Sequence, residues 1–105
     1  MKQPYQPPME SIPFTRVMQA LSEPNRVKIV QFLLIEKEKI CSSFIPLTNL
    51  PKSSVSHHIK VLRESGLIQA RVEGKEHYYS VRVDELEARF PGIISTLSHV
   101  DPAYI

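Results

Sequence analysis

The stretch SSVSHHIKVLRESGLI, Ser53–Ile68, decides the fold. Val55, Ile59 and Leu62 recur at the spacing of one buried face of an α-helix. Gly66 stands where such a helix takes a left-handed residue at its end. The spacing predicts a helix from about Lys52 to Ser65, with Pro51 just ahead of it. Ser53, Ser54, Ser56, His57 and Lys60 lie away from the apolar stripe. Small hydroxyls let a helix approach a phosphate or a base edge closely, and the helix N-terminus adds its own positive end. Lys52 and His57 reach further. Serines at a helix start also act as caps, and both roles stay open for Ser53 and Ser54. His58 lies roughly 60° from Val55 at 100° per residue, so it borders the core and is expected to be packed and hydrogen-bonded there.

Upstream, CSSFIPLTNL allows a helix of one or two turns, because Pro46 limits it. Only a few residues, Pro51 among them, separate it from the next helix. Two short helices joined so tightly make a helix-turn-helix candidate. Before them, LSEPNRVKIVQFLL places Pro24 in a first turn with Ser22 or Glu23 near the cap. Val27, Val30 and Leu34 form its stripe, widened by Ile29 and Leu33, and this helix should be central to the core. Phe14, Val17, Met18 and Leu21 follow helical spacing from Ser11 onward. The EKEKI segment reads as a solvated end. Downstream, LIQARVEGKEHYYSVRV alternates as two strands around Glu73-Gly74-Lys75, a hairpin that would form a wing. Asp84 and Glu87 have the spacing of a capping box. Leu86, Phe90, Ile93, Ile94 and Leu97 then follow a helical period that Phe90-Pro91-Gly92 should kink or divide.

Composition bounds the function. The 105 residues make room for one domain, residues 11–105, behind a mobile proline-rich arm at 1–10. No apolar run approaches a membrane span and no leader pattern opens the chain, so no membrane role and a cytoplasmic location are expected. A single cysteine, Cys41, cannot close an internal disulfide. The net charge of +2 names no partner, but its distribution does. Lys52 to Lys75 carries five Lys or Arg against two Glu, while Val81 to Ile105 carries two Arg against four acids. A local basic patch ahead of an acidic tail points to nucleic acid.

Taken together, LSEPNRVKIVQFLL, SSVSHHIKVLRESGLI and RVEGKEHYYSV resemble the ArsR family of winged helix-turn-helix repressors, over about Leu21 to Val83. The resemblance implies a mainly α fold with a small β-hairpin, in the order α-α-α-α-β-β-α. It also implies a homodimer that binds double-stranded operator DNA and is released by an inducer. In the family the positions of Lys52, Ser53, Ser56 and His57 face DNA. Ser54 and Lys60 join them on the helix, and Arg71 and Lys75 in the wing are candidate backbone contacts. Phe14, Val17, Leu86, Phe90, Ile94 and Leu97 exceed what a small winged core can cover, and mark the first and last helices as the dimer contact.

Metal sensing, common in the family, finds no ligand set here. One familiar site uses two cysteines at the positions held here by Ile40 and Ser42, with Cys41 between them. The other needs carboxylate and histidine spacings that Asp84, Glu85, Glu87 and His99 do not reproduce. His57 and His58 project about 100° apart and cannot share one ion. No cofactor and no metal are therefore expected; a small-molecule inducer, a thiol modification at Cys41 and no inducer at all stay open. No nucleophile, base and orienter stand together and no phosphate-cradling glycine loop exists, so an enzyme is not expected. The competing reading is a winged-helix module for protein interaction or dimerisation without DNA binding.

Overall fold

Prolines set where the main helices begin. Pro13 and Pro51 hold extended backbone at the caps of the first and fourth helices, and Pro24 occupies the first turn of the second. The computed structural model describes residues 6–105. The elements run α1 (Phe14–Ala20), α2 (Pro24–Glu36), β1 (Lys39–Ile40), α3 (Phe44–Thr48) and α4 (Lys52–Glu64). Then follow β2 (Ile68–Glu73), β3 (Glu76–Val81), α5 (Val83–Arg89) and α6 (Ile93–His99). This is a mainly α winged helix-turn-helix arrangement, as expected. It has one strand more than expected and a last helix divided at Pro91-Gly92.

The buried face of α4 is the one its spacing indicates, with Val55, Ile59 and Leu62 almost wholly enclosed. Its end is tied by two backbone bonds, from Leu67 N–H to Leu62 O at 3.1 Å and from Gly66 N–H to Arg63 O at 3.1 Å. That pattern requires a left-handed residue, and Gly66 supplies it at φ 81°. Asn49, at φ 57°, ends α3 and turns the chain toward Pro51 and α4. In α2 the fully buried residues are Ile29, Val30 and Leu33, whereas Val27 and Leu34 are half-buried. The core face is thus rotated from the expected stripe toward Ile29 and Leu33. Glu23 is the cap of α2, accepting the Arg26 N–H at 3.1 Å.

The sheet order is β1-β3-β2, all antiparallel. Glu73 pairs with Glu76, leaving Gly74 and Lys75 as a two-residue loop with positive φ at Gly74. A glycine at the first loop position suits the right-handed twist of a hairpin. β1 adds Lys39 opposite Tyr79 and Ile40 opposite Tyr78. It falls wholly inside the EKEKI segment read as a solvated end. Two residues are too few to show a periodicity.

Three further expectations need correction. The arm was expected to be mobile over 1–10, but Pro7 and Met9 are buried, and Arg82 Nη1 donates to the Pro7 carbonyl at 2.8 Å. Gln6 also accepts the Ala70 N–H on the outer edge of β2. Residues 1–5 of that arm lie outside the described residues. The Asp84–Glu87 capping box is not formed, because α5 already starts at Val83. Arg82 pairs instead with Glu85, Nη2 to Oε2 at 2.8 Å, and Glu87 accepts the Gly92 N–H at 2.7 Å. Third, Val17, Leu86 and Leu97 are buried within the subunit itself, so they are no surplus for a dimer contact. The break at Pro91-Gly92 lets α5 and α6 each turn an apolar side inward. Phe14 remains 52% exposed, with Phe90 half-buried against it at a ring distance of 5.4 Å and Ile94 half-buried on α6. These two aromatics, with Met18, Pro91 and Ile93, line an apolar groove of about 390 Å³.

Candidate nucleic-acid interface

With its apolar stripe enclosed, α4 turns Lys52, Ser53, Ser56, His57 and Lys60 to solvent. Ser54 is half-buried and stands at the margin of that row. Neither serine caps the helix. The cap position is Pro51, which makes no side-chain cap bond. The N–H groups of Lys52 and Ser53 therefore have no side-chain acceptor among the described residues, at the start of a helix of 13 residues. Such a terminus attracts an anion.

His58 is turned the other way. Its side chain is only 14% exposed, and Nδ1 stands 3.9 Å from Glu23 Oε2. It is packed, as expected, but Nδ1 has no hydrogen-bond partner among the described residues. Burial holds its pKa below the ordinary imidazole value; Glu23 opposes that shift, while Arg26 and His57 add to it. His58 thus links the reading helix to the start of α2 through packing and an incomplete polar contact. The spacing of α4 places His58 at the core margin, but it carries no sign of Glu23.

The wing departs more from expectation. Arg71 is exposed, but both forks of its guanidinium are engaged. Nε and Nη2 donate to the two oxygens of Glu38, each at 2.8 Å, and Nη1 to Glu73 at 2.6 Å. The guanidinium also lies 4.6 Å from the centre of the Tyr78 ring. The hydrogen bond from Arg71 holds the Glu38 carboxyl below the usual carboxylate range, and both acids keep Arg71 more firmly protonated. The structure makes Arg71 a strap between the wing and the segment before β1. Lys75, at the exposed tip, is not drawn into that network.

No group of three His, Cys, Asp or Glu side chains comes together among the described residues. Cys41 is half-buried in a single 3-10 turn, Cys41–Ser43. Among the described residues no helix is long and apolar enough to cross a membrane.

Residues 23–70, which hold α2, the helix-turn-helix and the first residues of β2, match the family model described as bacterial regulatory protein, arsR family. The chain is also 34% identical over 83 residues to the HTH-type transcriptional regulator YceK of Bacillus subtilis, covering 78% of this chain and 83% of YceK. The chain belongs to the ArsR family. It is thereby a member of a family of transcriptional regulators and not of enzymes. The repressor SdpR of Bacillus subtilis is 31% identical over 71 residues, 68% of this chain and 78% of SdpR. Two other relatives are longer, and the chain spans 50% and 54% of them. Among solved structures, the homodimeric winged helix-turn-helix DNA-binding domain of Mb0332 from Mycobacterium bovis superposes with a TM-score of 0.63 at 27% identity. The match covers 83% of this chain and 81% of that one.

Proposed function

We propose that this ArsR-family chain is a repressor that reads a palindromic operator as a homodimer, with α4 in the major groove. The observation that carries the reading is the exposed row Lys52, Ser53, Ser56, His57 and Lys60 on a helix whose N-terminus is uncapped. Ser54 stands beside that row. Lys75 at the wing tip meets the adjacent backbone, and Arg71 contributes mainly by holding the wing in place. The groove through Phe14, Met18 and Phe90 supports the dimer, since a twofold contact must bury the same patch on both subunits. The homodimeric Mb0332 domain supports it as well. With no thiol at Ile40 or Ser42, the releasing signal is a non-metal one. The protein would work in the cytoplasm, beside the DNA it reads.

The test is selection of bound duplexes from a random pool, followed by a salt series on the enriched site. A twofold-symmetric site whose affinity falls steeply with salt is expected. Recovery of no enriched sequence, with no salt-dependent binding, would return the chain to the class of protein-interaction modules.

A further inference from the structure

A cavity of about 370 Å³ opens between α1, the start of α2 and the C-terminal half of α4. Arg16 of α1 and Arg26 of α2 both line it, with Gln19, Ser22, Val61 and Glu64. The Arg26 Nε is shielded from solvent and finds no acceptor among the described residues. Interiors rarely keep a buried donor of this kind unmet, least of all a charged one. The nearest carboxylate in sequence is committed elsewhere. Glu23 accepts the Arg26 backbone N–H at 3.1 Å and the Asn25 amide at 3.4 Å, which holds the cap of α2. Arg16 and Arg26, from separate helices, thus line one space of the size that encloses a small ligand. The cavity borders the end of α4, about seven residues beyond His57, or roughly 10 Å along the axis at 1.5 Å per residue. It is therefore set back from the reading face.

We propose that this cavity binds a small organic acid, its carboxylate or phosphate held by Arg16 and Arg26. Glu64 on the same wall accepts a hydroxyl or amino group of the ligand, so a hydroxy acid such as L-malate should bind more tightly than bare phosphate. An occupant would brace the end of α4 against α1 and α2. Its use as the releasing signal rests on the DNA-binding reading, whereas occupancy itself does not.

The test is a titration of the full chain, without DNA and at constant ionic strength, with L-malate and with inorganic phosphate. It is followed by backbone amide shifts and by heat. Saturable binding of at least one probe is expected, with shifts at Gln19, Ala20 and Ser65 rather than at Lys52 and Ser53. Arg26→Gln and Arg16→Gln should each weaken it by about tenfold or more, the loss of a charge-assisted hydrogen bond. Thermal melts of both variants confirm that they fold, and the exposed Arg16 keeps the test valid if Arg26→Gln does not. Failure of both probes to saturate, equal affinity in a folded variant, or shifts confined to the start of α4 would overturn the proposal. A parallel operator titration separates the two readings. If no operator is bound with or without ligand while the cavity still fills, the DNA-binding reading fails and the site stands.

Discussion

Replacing His58 by Ala tests how the reading helix is seated on α2. At neutral pH two effects oppose each other. Losing a ring that is only 14% exposed removes packing, worth roughly 2 kcal/mol. The ring also buries an Nδ1 with no hydrogen-bond partner among the described residues, and removing such a group recovers about 1–3 kcal/mol. The net change at pH 7.5 should lie within about 1 kcal/mol, a shift in Tm of no more than about 8 °C. Lowering the pH changes this balance. Burial depresses the His58 pKa in the folded chain, with Glu23 only partly offsetting it. The unfolded chain therefore takes up the proton more readily. The stability tied to neutral His58 is fully present above the unfolded value of about 6.5 and is lost as pH falls through the folded value. The parent should weaken relative to His58→Ala between pH 7.5 and pH 5. Urea melts of both proteins at the two pH values measure the difference, and other titrating groups cancel in the comparison. A loss above about 3 kcal/mol at pH 7.5 would show that His58 makes a hydrogen bond after all. A parent–variant gap that does not move with pH would refute the depressed pKa.

Three further outcomes follow from the same geometry. His57→Ala should leave Tm nearly unchanged, because the ring is exposed, and should weaken operator binding by about 1–3 kcal/mol in a fluorescence titration; parental affinity would place the helix in another rotation. Gly66→Ala should cost about 2–4 kcal/mol in a urea melt, combining left-handed strain with overpacking, since its Cβ would fall 2.1 Å from the enclosed Ile12 Cδ1; a loss under about 1 kcal/mol would show that Ile12 swings aside freely. Lys75→Ala should lower affinity for operator and scrambled DNA alike and reduce the salt slope by about one, more than Arg71→Gln, whose guanidinium is already held by Glu38 and Glu73; the reverse order in paired salt series would mean that DNA displaces those carboxylates.

The features legible in the sequence are those whose cause is local. The buried face of α4, its glycine cap and the two-residue turn at Gly74 each depend on residues within one or two turns of the chain. Features that depend on partners brought from afar were not legible. The strap from Arg71 to Glu38 joins positions 33 apart. Gln31 donates to the carbonyls of Leu97 and Val100, each at 2.9 Å, tying α2 to the end of α6. Arg82 reaches back to Pro7, and that bond with the burial of Met9 makes this described end of the proline-rich arm part of the core. The reading of Leu86 and Leu97 as a surplus for the dimer contact has the same origin. Leu86 and Leu97 count as surplus on a continuous helix, but each is covered once the chain bends at Pro91-Gly92.

This difference bears on which DNA contacts can be assigned from sequence. A cation on α4 has neighbours set by helical spacing: Lys52 finds no carboxylate three or four residues away, and Lys60, with Glu64 four residues on, forms no ion pair with it among the described residues. Their exposure follows from the same pattern that buries Val55 and Ile59. A cation on a strand has cross-strand and cross-sheet neighbours that no local pattern names. Arg71 looked as available as Lys75 until β1 brought Glu38 beside it. The basic patch is therefore narrower than its composition suggests. Its phosphate-binding strength should be concentrated at the start of α4 and the wing tip, with Arg71 setting the angle between them. Replacing Glu38 by Gln would loosen that angle without adding or removing a DNA contact. It should lower operator affinity more than affinity for scrambled DNA, because only specific docking requires both elements to meet the duplex at once. Equal effects on the two duplexes, or a gain in both from freeing Arg71 for phosphate, would refute the strap and restore Arg71 to the contact surface.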